Sequence, residues 1–167
     1  AERAVPHQTL HWKRAQKTGN LQDQARRGRY GLITDWARGH GIIHVALGHT
    51  SDDQAETFLM NLARGSGIDG LVGMRHRWAA DGINWARPFL ARRRADLRGW
   101  LTRRGIAWVE DPSNEDSRFQ RVKARKVLAA LAPLGIDAQV VSGVTQNLSS
   151  VRQALAAQTY DIAKEIA

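Results

Sequence analysis

Residues 42–57 read Ile-Ile-His-Val-Ala-Leu-Gly-His-Thr-Ser-Asp-Asp-Gln-Ala-Glu-Thr. The apolar run Ile42 to Leu47 is too short for a helix and suits a strand buried on both faces of a parallel sheet. Polar residues then begin a helix over about 52–64, where Ala55, Phe58, Leu59, Leu62 and Ala63 recur at helical spacing. Ser51 and Gln54 fit the capping-box pattern at its start. Upstream, Leu21, Ala25, Leu32, Ile33 and Trp36 mark one side of a helix over 20–40, ended by Gly39 and Gly41. Thr9, Leu10 and Trp12 suit a strand before it. Strand, helix, strand, helix in this order implies an α/β fold on a parallel sheet, with ligands beyond the carboxyl ends of the strands. His49 to Asp53 stands at such an end.

Downstream the glycine-rich segment 64–74 reads as a loop, 83–90 as a strand stopped by Pro88, and 92–104 as a helix. Trp108-Val109 is a short strand at best. Residues 110–117 form a polar loop with Pro112 and Asn114, and 119–131 a basic helix broken at Pro133. Val144, Leu148, Val151, Leu155 and Ile162 then mark an amphipathic helix suited to packing on a partner. A chain of 167 residues accommodates one main domain, set at 1–132, and a helical extension at 133–167.

No apolar run approaches the roughly 20 residues of a membrane span, and the N-terminus lacks the apolar core of a signal peptide. The absence of cysteine excludes disulfides, cysteine-ligated zinc and cysteine nucleophiles, and agrees with a cytoplasmic location. The 25 Lys+Arg against 16 Asp+Glu leave a net charge of +9, dominated by arginine, which favours a polyanionic partner. The excess gathers in three patches: Arg26, Arg29 and Tyr30; Arg87 with Arg92 to Arg94; and Arg118, Arg121, Lys123, Arg125 and Lys126. For Arg26 and Arg29 a solvated basic face is the default reading, with phosphate contact as the alternative.

His49 to Thr57 crowds a histidine, three carboxylates and an amide into one strand-to-helix turn. Two readings stay open: acids complementing the helix macrodipole, or a site in which His49 donates to a phosphate or substrate oxygen and Asp52 and Asp53 meet a divalent cation. Gly65-Ser-Gly67-Ile-Asp-Gly70 matches the dinucleotide pattern, but a helix precedes it where that motif needs a strand, so no NAD is expected. Arg64 places a charge beside these glycines. His40, His44 and His49 have spacings that do not converge on one metal.

Taken together, His-x-x-Asp-Asp-Gln-x-Glu-Thr at 49–57, Arg64-Gly-Ser-Gly67, Gly70-Leu71, Arg87-Pro88-Phe89, Glu110-Asp111-x-x-Asn114 and Arg121-x-x-x-Arg125 resemble the ordered motifs of the tRNA(Ile)-lysidine synthases. The similarity runs over about 5–130. It implies an N-type ATP pyrophosphatase domain, Rossmann-like, and a ligase using ATP and Mg²⁺ to join free L-lysine to C2 of the wobble cytidine in tRNA(Ile) with a CAU anticodon. By the same resemblance His49, Asp52 and Asp53 line the reaction pocket, with Asp52 and Asp53 as Mg²⁺ contacts or base. Arg64, Arg87, Arg121 and Arg125 hold tRNA or phosphate, and Glu110, Asp111 and Asn114 shape the loop beside the target base. Val122 replaces an expected asparagine. The family's Ser-Gly-Gly-x-Asp-Ser phosphate loop does not occur in these residues, so the isolated chain is expected to be inactive. A tRNA thiolase-like enzyme and a noncatalytic RNA-binding remnant are the alternatives, and a homodimer stays open.

Overall fold

The computed structural model describes residues 5–13, 21–110 and 120–166, which divide into two units: residues up to 46 with 77–86, and residues 47–76 with 87 onward.

In the first unit α1 (Leu21–Gly39) stops where Gly41 turns left-handed at φ +67°, and the Gly41 and Ile42 amides donate to the carbonyls of Arg38 and Ala37. Three strands follow: β1 (His44–Ala46), β2 (Arg77–Ala80) and β3 (Ile83–Ala86), in sheet order β1-β3-β2. β1 runs parallel to β3 with Val45 opposite Trp85, as the sequence leads one to expect. The sheet is nonetheless mixed, because β2 pairs antiparallel to β3 through the two-residue turn Asp81-Gly82, both at positive φ. Asp-Gly between short strands is a strong hairpin signal that apolar spacing alone does not register. β1 is shorter than the apolar run, and His44 and Ala46 are exposed, as suits an outer strand of these three rather than one buried on both faces. Residues 5–13 carry no strand. Trp78 and Trp85 stack at 5.7 Å, and Tyr30 of α1 tilts onto both rings, so the aromatics of helix and hairpin form this unit's core with Ile83 and Ala37.

The second unit is helical: α2 (Ser51–Leu62), the short α3 (Ile68–Leu71) inside the segment expected to be all loop, α4 (Arg94–Arg103), α5 (Gln120–Leu131) and α6 (Ala138–Ile166). Ala55 of α2 and Ala138 and Val141 of α6 are buried together, with Phe58, Leu128 and Ile136 against them. Small residues at 55 and 138 let the helices approach closely. The helical extension therefore begins inside this unit. Farther out, Val151, Leu155 and Ile162 of α6 are exposed. Trp108 and Val109 form no strand, and no single described helix is long and apolar enough to cross a membrane.

Candidate active site at the start of the second helix

Thr50, not Ser51, is the N-cap of α2. The Asp53 carboxylate accepts both the Thr50 amide and the Thr50 hydroxyl at 2.8 Å, closing the first turn. The expected Ser51–Gln54 box is thus displaced by one residue. A carboxylate accepts two donors at once and Asp53 sits at the right offset from Thr50, whereas the Ser51 hydroxyl is buried without a partner among the described residues. The Gln54 amide is used elsewhere, on the 72–74 backbone.

Around this turn the unit gathers the ionic groups. Asp53 Oδ1 lies 3.4 Å from Arg94 and 3.5 Å from Arg121. One turn along, Glu56 is 1% exposed and lies 2.5 Å from Arg125 Nε, 3.7 Å from Arg121 and 3.8 Å from Arg94. Its Oε2 is buried and has no hydrogen-bond partner among the described residues. Asp52 Oδ2 accepts the Arg94 backbone N–H at 2.7 Å, a carboxylate at the first turn of α4 where the helix dipole favours it. Ser51 N–H donates to the Arg92 carbonyl, so the starts of α2 and α4 are tied by backbone as well.

His49 precedes the cap. Its Nδ1 accepts from Arg87 Nε at 3.2 Å, which leaves Nε2 to carry the proton of the neutral ring. Arg87 is only 4% exposed, and a second arm of its guanidinium donates to the Arg75 carbonyl at 2.7 Å. A buried guanidinium held by backbone and imidazole serves as a fixed positive wall rather than a mobile surface contact.

The structure therefore brings His49, Asp52, Asp53, Arg87, Arg121 and Arg125 together. Arg64 lies just past the C-terminal end of α2 and bonds Gln120 at the start of α5. Arg26 and Arg29 belong to the first unit, on α1, with Arg26 over the Tyr30 ring. Glu110 is exposed; the Trp108 indole N–H and then Arg98 hold its carboxyl below the usual range. Asp111 and Asn114 lie outside the described residues, as does Arg118. Sequence reasoning misses Arg94 and Glu56 as members. Arg94 is hidden in a run of three arginines whose helical phase decides which one turns inward. Glu56 stands within the 49–57 motif, but its burial depends on α5 closing over it.

A PP-loop domain matches residues 1–131. The chain is 52% identical over 162 residues to the tRNA(Ile)-lysidine synthase of Ruegeria pomeroyi, covering 97% of this chain and 39% of that protein. It is 41% identical to the tRNA(Ile)-lysidine synthase of Bradyrhizobium diazoefficiens (92% and 43% covered) and 36% identical to that of Wolbachia sp. subsp. Brugia malayi (87% and 34%). The chain thus spans less than half the length of each of these curated relatives. The domain match takes in both α1 with its hairpin and the helices that assemble the charged turn, and on that ground this chain belongs to the PP-loop domain family.

Proposed function

We propose that this chain belongs to the catalytic domain of a tRNA(Ile)-lysidine synthase, a ligase that modifies the wobble cytidine of a CAU anticodon. The observation that carries this reading is the buried Glu56 and the partly buried Asp53, set among Arg94, Arg121 and Arg125 beside the Arg87–His49 contact. ATP, free L-lysine and tRNA(Ile) are the reactants. In the first step the C2 oxygen of the cytidine attacks the α-phosphorus of ATP and pyrophosphate leaves. In the second the lysine amine attacks C2 and AMP departs, the amine giving up its proton.

Each group has a task suited to where it stands. Three guanidiniums facing one turn stabilise the charge that develops as pyrophosphate departs, and arginine's fork matches phosphate oxygens. The His49 Nε2–H points away from Arg87's bond and donates to a phosphate or to the cytosine edge. Glu56 Oε2, buried and without a hydrogen bond among the described residues but paired with Arg121 Nη1 at 3.7 Å, keeps that guanidinium facing the site. Asp53 does not fit Mg²⁺: its oxygens already serve Thr50, Arg94 and Arg121, and the described residues hold no group of three His, Asp or Glu able to bind a metal. Mg²⁺ belongs to this reading as a companion of the ATP phosphates. Asp52, whose Oδ2 accepts the Arg94 backbone N–H, is the carboxylate of the pair proposed to meet it. Arg26 and Arg29 are proposed phosphate contacts, and Arg64, Glu110, Asp111 and Asn114 contacts of the tRNA. A cytoplasmic location and a homodimer joined through the outer stripe of α6 complete the proposal.

The test is transfer of labelled lysine to a tRNA(Ile) transcript by the intact gene product with ATP and Mg²⁺. Label enters the tRNA with wild type and not with Asp53→Ala. Failure of wild type to transfer lysine while RNA still binds overturns the assignment.

A further inference from the structure

Gln54 sits in the charged turn yet touches none of its ions. Its side chain is almost wholly removed from solvent, at 5% exposure. Oε1 accepts the Met74 amide at 2.8 Å, while Nε2 lies 3.3 to 3.5 Å from Thr145 Oγ1 and the Met74 and Val72 carbonyls. The backbone of 72–74 wraps this amide so closely that a Cβ at Gly73 would meet Oε1 and Nε2 at 2.8 Å, and Gly73 is left-handed at φ +67°. A loop bound by one buried amide on both its N–H and C=O groups is fixed in place, because releasing it would leave buried polar groups unpaired.

What this loop carries gives the amide its further role. The residue after Met74 is Arg75, whose carbonyl accepts from Arg87 Nη1 at 2.7 Å, and the next, His76, accepts the Arg87 backbone N–H at 2.8 Å. Arg87 Nε in turn donates to His49 Nδ1. A continuous path thus runs from Gln54 through the 74–76 backbone and Arg87 to the imidazole. At its other end, Thr145 of α6 is 2% exposed, accepts from Gln54 and donates to the Ser142 carbonyl at 2.8 Å.

We propose that Gln54 is a positioning residue: by fixing the 72–75 backbone it fixes Arg87, and Arg87 then holds His49 in the Nε2–H tautomer. Thr145 extends this control to α6, so the seating of that helix and the state of His49 are linked. The consequence for the reaction rests on the lysidine-synthase reading, whereas the tautomer does not.

The experiment uses the full 167-residue chain with isotope-labelled histidine, at about pH 8, above the ordinary imidazole range. Ring-nitrogen shifts report the tautomer, and His49→Asn identifies the signal. Wild type shows His49 with an acceptor Nδ1. In Gln54→Met, His49 moves to a tautomer-averaged signal while His40 stays put and circular dichroism stays helical. Gln54→Glu keeps an oxygen for the Met74 amide but turns a carboxylate oxygen toward the Val72 and Met74 carbonyls, so its His49 signal moves as well. An unmoved His49 signal in folded Gln54→Met overturns the proposal. Should that variant not fold, Thr145→Val decides by the same criterion, since it removes the hydroxyl that steadies the Gln54 amide and so loosens the amide's hold on the loop. In the intact protein, kcat for lysine transfer falls about tenfold in Gln54→Met with KM for ATP unchanged. If wild type itself transfers no lysine but the His49 signals behave as stated, the synthase reading fails and the positioning role stands.

Discussion

Glu56 is the residue on which the charged turn depends most. Three arginines surround it and none is as deeply buried, so Glu56→Ala leaves guanidiniums facing one another without their common anion. Breaking a buried pair by removing one partner costs about 3–5 kcal/mol; solvent reaches the arginines here, so the lower end, about 3 kcal/mol, is expected in urea denaturation. Arg125→Ala, which leaves Glu56 two other cations, costs less than half as much. A value for Glu56→Ala under about 1 kcal/mol would show that the cluster does not hold α5. Glu110 behaves differently because it is exposed. The Trp108 indole and Arg98 lower its pKa from an ordinary 4.5, so its folded value lies below its unfolded one. Its contribution is then complete above the unfolded value and is lost as pH falls through the folded one. The Trp108 indole N–H resonance, identified by Trp108→Phe, stays constant from about pH 8 to about pH 5 and moves only in more acid solution.

Two glycines separate backbone strain from steric contact. Gly82 closes the β2–β3 hairpin at φ +75° with no atom nearer than 4.0 Å to where a Cβ would go, whereas Gly73 combines φ +67° with the buried Gln54 amide at 2.8 Å. Gly82→Ala costs about 1 kcal/mol, the left-handed penalty alone. Gly73→Ala costs more, about 2–3 kcal/mol, since strain and a displaced hydrogen-bonded amide combine. Thermal melts of the two variants check the order, and equal values would deny the loop its special closeness. These elements also show what the sequence disclosed. α1, α2, α4, α5 and α6 were legible to within a few residues because glycine stops, acidic starts and 3.6-residue spacing act locally. β2 was not, since Arg77-Trp-Ala-Ala has no run of branched residues and becomes a strand only by pairing with β3. In the candidate site, His49, Asp52 and Asp53 stand together in sequence and need no folding to be found. Arg87 to His49 and Arg125 to Glu56 span 38 and 69 residues, separations that local pattern does not report.

At the scale of the whole chain, a net charge of +9 favours a polyanionic partner, and the proposed function makes that partner RNA. If three phosphates are contacted, affinity falls roughly fortyfold between about 50 and 200 mM salt. Fluorescence anisotropy with an anticodon stem-loop measures it, and a flat salt response would argue against a polyanionic partner. α6 adds a mechanical property to this electrostatic one. Its 29 residues make a rod about 43 Å long, seated by Ala138, Val141 and Thr145 and, farther along, by the 3.7 Å ion pair of Arg152 with Asp69 of α3, and solvent-exposed along its outer half. A rod held along its first half carries small rotations outward: about one degree at the seat moves the tip, roughly 21 Å beyond Arg152, by about 0.4 Å. The far end of α6 is therefore a natural pointer, and a spin label or fluorophore placed there would report tilts of the helix seat around Gln54 from a site that touches none of its residues.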